Sequence, residues 1–144
     1  MAWPRSASHL CRRRGEVALN LVASSAWLEH FAGSTGAGSF APAVEDAPSL
    51  LVPSIVLHEV FRRILQQRSE GEALSKYVTM VQAHVVPLND SLAINAARLS
   101  CHTGLPMADN IILATAQAYQ ATIWRQDRHF SGLPNVRYFQ KSVA

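Results

Sequence analysis

Short apolar runs alternate with longer amphipathic segments along the chain, and this pattern predicts strands separated by helices. The apolar runs have the length of buried strands, which we predict at residues 18–22, 50–52, 85–88, 121–124 and 136–139. The amphipathic segments predict helices at residues 26–31, 41–46, 55–67, 70–83, 91–102 and 107–120. Strands that alternate with helices favour an α/β fold, in which helices cover both faces of a central, mostly parallel sheet.

Residues that favour helix ends set the expected boundaries of these elements. A polar side chain before a helix can accept a hydrogen bond from a free backbone N–H group, and a glycine after it can adopt the left-handed conformation. The expected N-terminal caps are Ser24 or Ser25, Ser54 and Asp90, and the expected C-terminal cap is Gly104. Residues 32–40 are rich in glycine and serine and are expected to form a flexible loop.

The length of 144 residues suits one compact domain. The net charge of +3 comes from residues 1–16, because the remainder carries nine basic and nine acidic side chains. Residues 1–16 show neither helical nor strand periodicity, so we expect a disordered leader followed by a single domain at residues 17–144. The run Arg12–Glu16 is what a purine-rich ribosome-binding site would encode, which raises the hypothesis that Val17 is the true start.

Several functional classes find no support in the sequence. No apolar run approaches the 18 residues that a membrane-spanning helix needs. The two cysteines, Cys11 and Cys101, lie in unrelated contexts, so we expect no disulfide framework and a cytoplasmic location. The histidines form no zinc-binding pattern, and no glycine-rich phosphate-binding motif is present. The candidate chemistry therefore rests on acidic side chains.

Three acidic residues, Glu59, Asp109 and Asp127, lie near the carboxyl ends of predicted strands, where α/β proteins place their active sites. Each also has an ordinary explanation: Glu59 as a surface ion pair with arginine, Asp109 as a partner of its helix dipole, and Asp127 as a turn residue. Three converging carboxylates repel one another unless a cation joins them or one is protonated. Such oxygen ligands suit Mg²⁺ or Mn²⁺, which can activate water for attack on a phosphodiester.

Four segments of the chain resemble motifs of the VapC-type toxin ribonucleases in the PIN-domain family. The first begins at the end of the first predicted strand, the second and third contain Glu59 and Asp109, and the fourth contains Asp127. The segments are residues 22–31, 54–60, 105–116 and 126–130. They occur in the family's order and together span essentially residues 18–140. The resemblance implies a small, three-layer PIN-like fold around a central parallel sheet.

The resemblance also implies a function: the toxin component of a type II toxin-antitoxin system. Such a toxin is an Mg²⁺- or Mn²⁺-dependent endoribonuclease that cleaves single-stranded RNA, is inhibited by a cognate antitoxin and is usually a homodimer. Carried over by residue, Glu59, Asp109 and Asp127 would be the catalytic metal ligands, and Ser25 would orient them without touching the ion. Four arginines near these acids could contact the RNA backbone or pair with the acids themselves. They are Arg62, Arg63, Arg125 and Arg128.

The chain departs from the family at Ala23, which stands where the family has its first metal-binding aspartate. A methyl group cannot coordinate a cation, and Asn20 cannot replace it because three residues along a strand reverse the side-chain direction. We expect the loss to cost at least about 10–100-fold in metal affinity or activity, whether the change is engineered or natural. The alternative function is a catalytically inactive PIN-fold protein that acts through antitoxin binding and dimerisation. A third reading is a structure-specific DNA nuclease, although the short chain lacks extra elements to grip a duplex.

Overall fold

The structure is a computed structural model, and it describes residues 18–33, 37–125 and 136–138. Its five strands are β1 (Asn20–Val22), β2 (Leu50–Pro53), β3 (His84–Val86), β4 (Thr122–Arg125) and β5 (Val136–Tyr138). They form one sheet in the order β3–β2–β1–β4–β5, and every neighbouring pair is parallel. The α/β fold with a parallel sheet is therefore confirmed.

Six α-helices occur within the described residues. They are α1 (Ser24–Ala32), α2 (Ala41–Val44), α3 (Ser54–Gln67), α4 (Glu70–Met80), α5 (Asp90–Thr103) and α6 (Met107–Tyr119). Two short 3₁₀ turns, Ala37–Ser39 and Ala47–Ser49, add to them, and the first lies within the segment expected to be a flexible loop. None of these helices has the length and apolar character required to cross a membrane. The leader at residues 1–16, Val17 and the turn expected at Asp127 lie outside the described residues.

The strands and helices appear where the sequence predicts them, with ends that shift by up to three residues. Helix α4 ends at Met80 rather than at residue 83, because the N–H groups of Gln82 and Ala83 donate to carbonyls three residues back and form a turn. Strand β3 ends at Val86, since Pro87 has no N–H group to give to a sheet. Local hydrogen-bonding capacity thus explains these differences in length.

The predicted N-terminal caps are wrong at three helices. Ala23 and Pro53 precede α1 and α3, and neither side chain makes a capping hydrogen bond. Ser24 and Ser54 are the first residues inside these helices, because the chain passes from an extended strand end directly into the helix. Ser54 Oγ instead accepts a hydrogen bond from the backbone N–H of Leu88, at 3.2 Å.

At α5 the cap lies one residue earlier than predicted. The side chain of Asn89, not of Asp90, accepts a hydrogen bond from the backbone N–H of Leu92, at 2.9 Å. Asp90 is the first helical residue, where its charge complements the helix dipole. The C-terminal cap is as predicted, because Gly104 has φ +66° and its N–H donates to Ser100 O.

The hydrophobic core surrounds β1, β2 and α6. Leu21, Val22, Leu51 and Val52 in the two strands are fully buried. In α6 every residue from 109 to 116 is buried, so this helix passes through the interior rather than over the surface. An acidic side chain in the first turn of α6 is therefore held by the core of the protein.

The order of the strands reverses beside β1, because β2 pairs with one of its edges and β4 with the other. The carboxyl ends of these three parallel strands meet at one edge of the sheet, which is where α/β proteins form their binding crevices. Helices α1 and α3 begin at this edge, directly after β1 and β2. The fold therefore gathers residues near 23, 54–59 and 125 around one crevice.

Candidate active site at the carboxyl edge of the sheet

Glu59 lies in the second turn of α3 and is partly buried. Its Oε1 accepts a hydrogen bond from the hydroxyl of Ser24, at 3.0 Å, which joins the start of α1 to α3. Burial raises the pKa of Glu59 above its ordinary value; the hydrogen bond from Ser24 lowers it, and the charge of Asp109 raises it. Burial is thus the main reason why the carboxyl group of Glu59 favours its protonated form.

Asp109 lies in the first turn of α6 and is 8% exposed. Its Oδ1 accepts hydrogen bonds from both terminal nitrogens of Arg125, at 3.5 Å from Nη1 and 3.4 Å from Nη2. Arg125 is the last residue of β4 and is only 2% exposed, so its guanidinium is enclosed within the protein. Arg125 was expected either to contact the RNA backbone or to pair with one of the acids, and the structure shows that it pairs with Asp109.

Ala23 lies directly after β1, at the carboxyl edge of the sheet. Its backbone is extended, its N–H donates to Trp124 O at 2.9 Å, and its carbonyl accepts from the N–H groups of Ala26 and Trp27. Ser24, which follows Ala23, donates a hydrogen bond to Glu59. Trp124, whose carbonyl bonds Ala23, is followed in β4 by Arg125. Ala23 is 1% exposed, so its methyl group is buried at this edge of the sheet.

The side chain of Asn20 does not take the place of a ligand at position 23, in agreement with the direction expected for it along the strand. Its Oδ1 accepts a hydrogen bond from Trp124 Nε1, at 2.9 Å, across the β1–β4 pair. This contact ties the two strands together below the crevice. Asn20 therefore serves the sheet, and it does not supply the oxygen ligand that position 23 lacks.

The remaining predicted site residues fall into two groups. Ser25, Arg62 and Arg63 line a surface groove of about 360 Å³ together with Glu59, and both arginines are exposed. Ser24, not Ser25, makes the hydrogen bond to Glu59 that the structure shows. Asp127 and Arg128 lie outside the described residues.

Asn110 is a positioning residue to which the sequence analysis gave no role. It is 1% exposed and follows Asp109 in α6. Its Nδ2 donates to Leu105 O at 2.8 Å and to Pro106 O at 3.3 Å, and its Oδ1 accepts from Thr103 Oγ1 at 2.7 Å. The side chain thereby holds the α5–α6 connection against the first turn of α6. An asparagine inside a predicted apolar helix was the signal that could have revealed it.

A divalent cation needs several oxygen ligands around one point. Among the described residues, no three acidic, histidine or cysteine side chains come together in a way that could hold a metal ion. Ala23 contributes no side-chain oxygen, and the carboxylate of Asp109 already faces a guanidinium. The described residues alone therefore do not complete a site for Mg²⁺ or Mn²⁺, and Asp127, the further expected ligand, lies outside them.

Residues 21–135 match the family model of the PIN domain. The match spans most of the chain, and the chain therefore belongs to the PIN-domain family. No curated protein matches the chain by sequence. The family assignment agrees with the parallel sheet and with the position of Asp109 at its carboxyl edge.

Solved structures with the same fold include several toxin-antitoxin proteins. A toxin-antitoxin complex from Klebsiella pneumoniae superposes with a TM-score of 0.73 at 20% identity, covering 85% of this chain and 99% of that one. DNA-bound VapBC from Salmonella typhimurium gives 0.68 at 11% identity, with coverages of 86% and 98%. VapC20 of Mycobacterium tuberculosis, a toxin that cleaves the sarcin-ricin loop, gives 0.65 at 18% identity, with coverages of 79% and 94%. At these identities the comparisons establish the fold.

Proposed function

We propose that this chain is the toxin component of a type II toxin-antitoxin system, of the VapC type, with an RNA-cleaving activity impaired at residue 23. The observation that carries the proposal is that Ser24, directly after Ala23, hydrogen-bonds Glu59, while Asp109 pairs with Arg125 at the end of the neighbouring strand β4. The similar structures support the toxin class, because several are toxin-antitoxin complexes. The partners would be a cognate antitoxin and a second copy of the chain, in the cytoplasm.

Single-stranded RNA is the proposed substrate. The groove beside Glu59 is lined by the exposed side chains of Arg62 and Arg63, which can attract the phosphate backbone without reading its sequence. Arg125 is enclosed and does not take part in such a contact. A phosphodiester in this groove would lie beside Glu59 and Ser24.

The chemistry available to the site is limited by the missing carboxylate. Glu59 can hold a water molecule and accept its proton, and the raised pKa of this group makes it a better base than an exposed glutamate. Asp109 is engaged with Arg125. The predicted binding of Mg²⁺ or Mn²⁺ by Glu59, Asp109 and Asp127, with Ala23 at the position of the family's first aspartate, remains a prediction.

Cleavage of a single-stranded RNA in Mg²⁺ or Mn²⁺ tests the proposal. We expect the Ala23→Asp variant to cleave at least about 10-fold faster than the chain with Ala23. The added Asp109→Asn substitution in the same variant should abolish that gain, because it removes a second oxygen ligand. If the chain with Ala23, the Ala23→Asp variant and the double variant with Asp109→Asn all cleave RNA at the same rate, the activity is not impaired at residue 23.

The second candidate is a PIN-fold binding protein without catalytic activity, and the ion pair of Asp109 with Arg125 favours it. Such a protein would bind its antitoxin and dimerise but leave RNA intact. Co-purification with the product of the adjacent upstream gene, followed by measurement of the complex mass, tests the binding role. Binding together with no cleavage even after Ala23→Asp would select this second function, whereas cleavage by the variant would select the first.

A further inference from the structure

We propose that single-stranded RNA bound beside Glu59 continues along a second groove, where Arg68 and Lys76 hold its phosphates away from the cleavage point. The proposal rests on the proposed function, because it assumes that the groove beside Glu59 takes RNA. It adds a binding region for the nucleotides that flank the cleaved bond, on a surface formed by α1, α3 and α4.

This second groove lies between α1 and the α3–α4 pair and has a volume of about 620 Å³. Its lining shares Ser25, Leu28 and Arg63 with the groove of about 360 Å³ that contains Glu59. Because they share three lining residues, the two grooves adjoin and form one continuous depression, which we call the α1–α3 trough. Glu59 lies toward one end of the trough, and Lys76 of α4 lies toward the other.

The trough carries most of the exposed positive charge that the structure describes. Five of the described lysine and arginine side chains reach the surface, and four of them line the trough, namely Arg62, Arg63, Arg68 and Lys76. The fifth is Arg98, on α5. Three acids also line the trough, but Glu29 is 8% exposed and Glu59 is partly buried, so that among them only Glu72 is exposed. The charge that faces solvent in the trough is therefore mainly positive.

The basic side chains of the trough are available to a ligand. Within the described residues, the side chains of Arg63, Arg68 and Lys76 form no ion pair with an acid. Arg125, by contrast, is paired with Asp109 inside the protein. An exposed cation without an acidic partner can replace the counter-ions of a phosphate, and this exchange drives sequence-independent binding of nucleic acids.

Part of the lining of the trough is apolar, and it includes Leu28, Phe31 and Ile64. Lys76 Nζ lies 5.2 Å from the centre of the Phe31 ring, so positive charge and aromatic surface adjoin each other. Grooves that bind single-stranded nucleic acids combine basic groups along the backbone with aromatic side chains against the bases. This combination, in a trough that continues from Glu59, favours an RNA strand as the ligand.

The length of the trough determines how much RNA it can hold. From Glu59 to Arg68 the axis of α3 advances by about 13 Å, because an α-helix rises about 1.5 Å per residue. A strand therefore has to extend a few nucleotides beyond the bond at Glu59 before it meets Arg68 and Lys76. A very short RNA would contact only Arg62 and Arg63, so affinity should depend on Arg68 and Lys76 mainly for longer strands.

Equilibrium binding of two labelled RNAs, of about 4 and about 12 nucleotides, tests the proposal in EDTA, which prevents metal-dependent cleavage. We expect Arg68→Gln and Lys76→Gln each to weaken binding of the long RNA several-fold, with a smaller effect on the short one. Each variant should also lower the slope of log affinity against log salt for the long RNA by about 0.7. Arg98→Gln is the matched control and should change neither quantity, whereas Lys76→Arg keeps the charge and should retain the affinity that Lys76→Gln loses.

Equal affinity of the unchanged chain and both glutamine variants for the long RNA would overturn the proposal. If the short RNA still binds in that case, the proposed function stands and only the second groove is wrongly assigned. If the unchanged chain binds neither RNA, the proposed function fails as well. Loss of antitoxin binding in the two variants, with RNA affinity unchanged, would show that the second groove holds a protein segment instead of RNA.

Discussion

Glu59 has the most informative individual environment in the site. Its carboxylate is partly buried near a second acid, and the hydroxyl of Ser24 supplies the hydrogen bond that offsets part of the cost. An acid that has lost hydration favours its protonated form. The position of Glu59 therefore suits proton uptake, at the expense of stability at neutral pH.

The first prediction concerns the pH dependence of stability. Because the pKa of Glu59 is raised in the folded protein, the folded state binds this proton more readily than the unfolded chain does. The free-energy cost of ionising Glu59 in the folded protein is fully present at pH values above its pKa in the folded state. This cost disappears as the pH falls below the pKa of Glu59 in the unfolded chain. Glu59→Gln, which cannot ionise, should be more stable than the natural chain at pH 7, and this advantage should shrink toward pH 4.

Urea unfolding at several pH values measures this effect. The amide oxygen of glutamine can still accept the hydrogen bond from Ser24, so the variant preserves the contact between α1 and α3. Glu70→Gln, on the exposed first turn of α4, serves as the control for a general change in charge. A Glu59→Gln variant that is less stable than the natural chain at pH 7 would show that the ionised carboxylate is favourable.

The helices and strands were largely predictable, because each has a periodic apolar pattern of ordinary length. The helix-end predictions failed where a strand passes directly into a helix, since Ala23 and Pro53 complete that junction through the backbone alone. Ser24 then becomes available to Glu59, a contact between residues 35 positions apart that no local pattern encodes.

Helix α6 owes its orientation to Asn110, and the second prediction tests this element. Truncation by Asn110→Ala removes three hydrogen bonds in a buried region and leaves their partners unsatisfied. We expect a loss of about 3 kcal/mol in the free energy of unfolding, measured in urea. Thr103→Val, which removes only one of the three bonds, should cost about 1 kcal/mol.

A ratio near one between the two losses would mean that Asn110 contributes little beyond its bond to Thr103.

The third prediction concerns the end of α5, where Gly104 has φ +66°. Gly104→Ala should cost about 1–2 kcal/mol, because a Cβ atom disfavours this conformation. Gly71→Ala, in α4, would place its Cβ 3.9 Å from the Ser69 hydroxyl, an ordinary contact, and should instead stabilise the protein by about 0.5–1 kcal/mol.

Across the whole molecule, the sequence was sufficient to place Glu59 and Asp109 at one edge of a parallel sheet. It did so because each follows a strand or begins a helix in a βα pattern, and such positions converge in this architecture. It could not choose between RNA and an acid as the partner of Arg125, since that choice depends on burial. The predicted contribution of Asp127 lies outside the described residues and stays a prediction.

The fourth prediction concerns RNA binding by the molecule as a whole. Residues 17–144 carry no net charge, so the proposed attraction of this domain to RNA has to come from local groups such as Arg62 and Arg63. Replacing both with alanine should lower the slope of log affinity against log salt by about 1.4 for a single-stranded RNA. Fluorescence anisotropy measures it, and Arg98→Ala on α5 should leave the slope unchanged.

The interior course of α6 has a consequence for mutational scanning. Substitutions from residue 109 to 116 disturb packing and the acidic pair together, so low activity there coincides with low cellular abundance. Exposed positions such as Arg62 and Arg63 carry no such coupling. Only a scan that records the amount of protein beside its activity can therefore separate a damaged site from an absent protein.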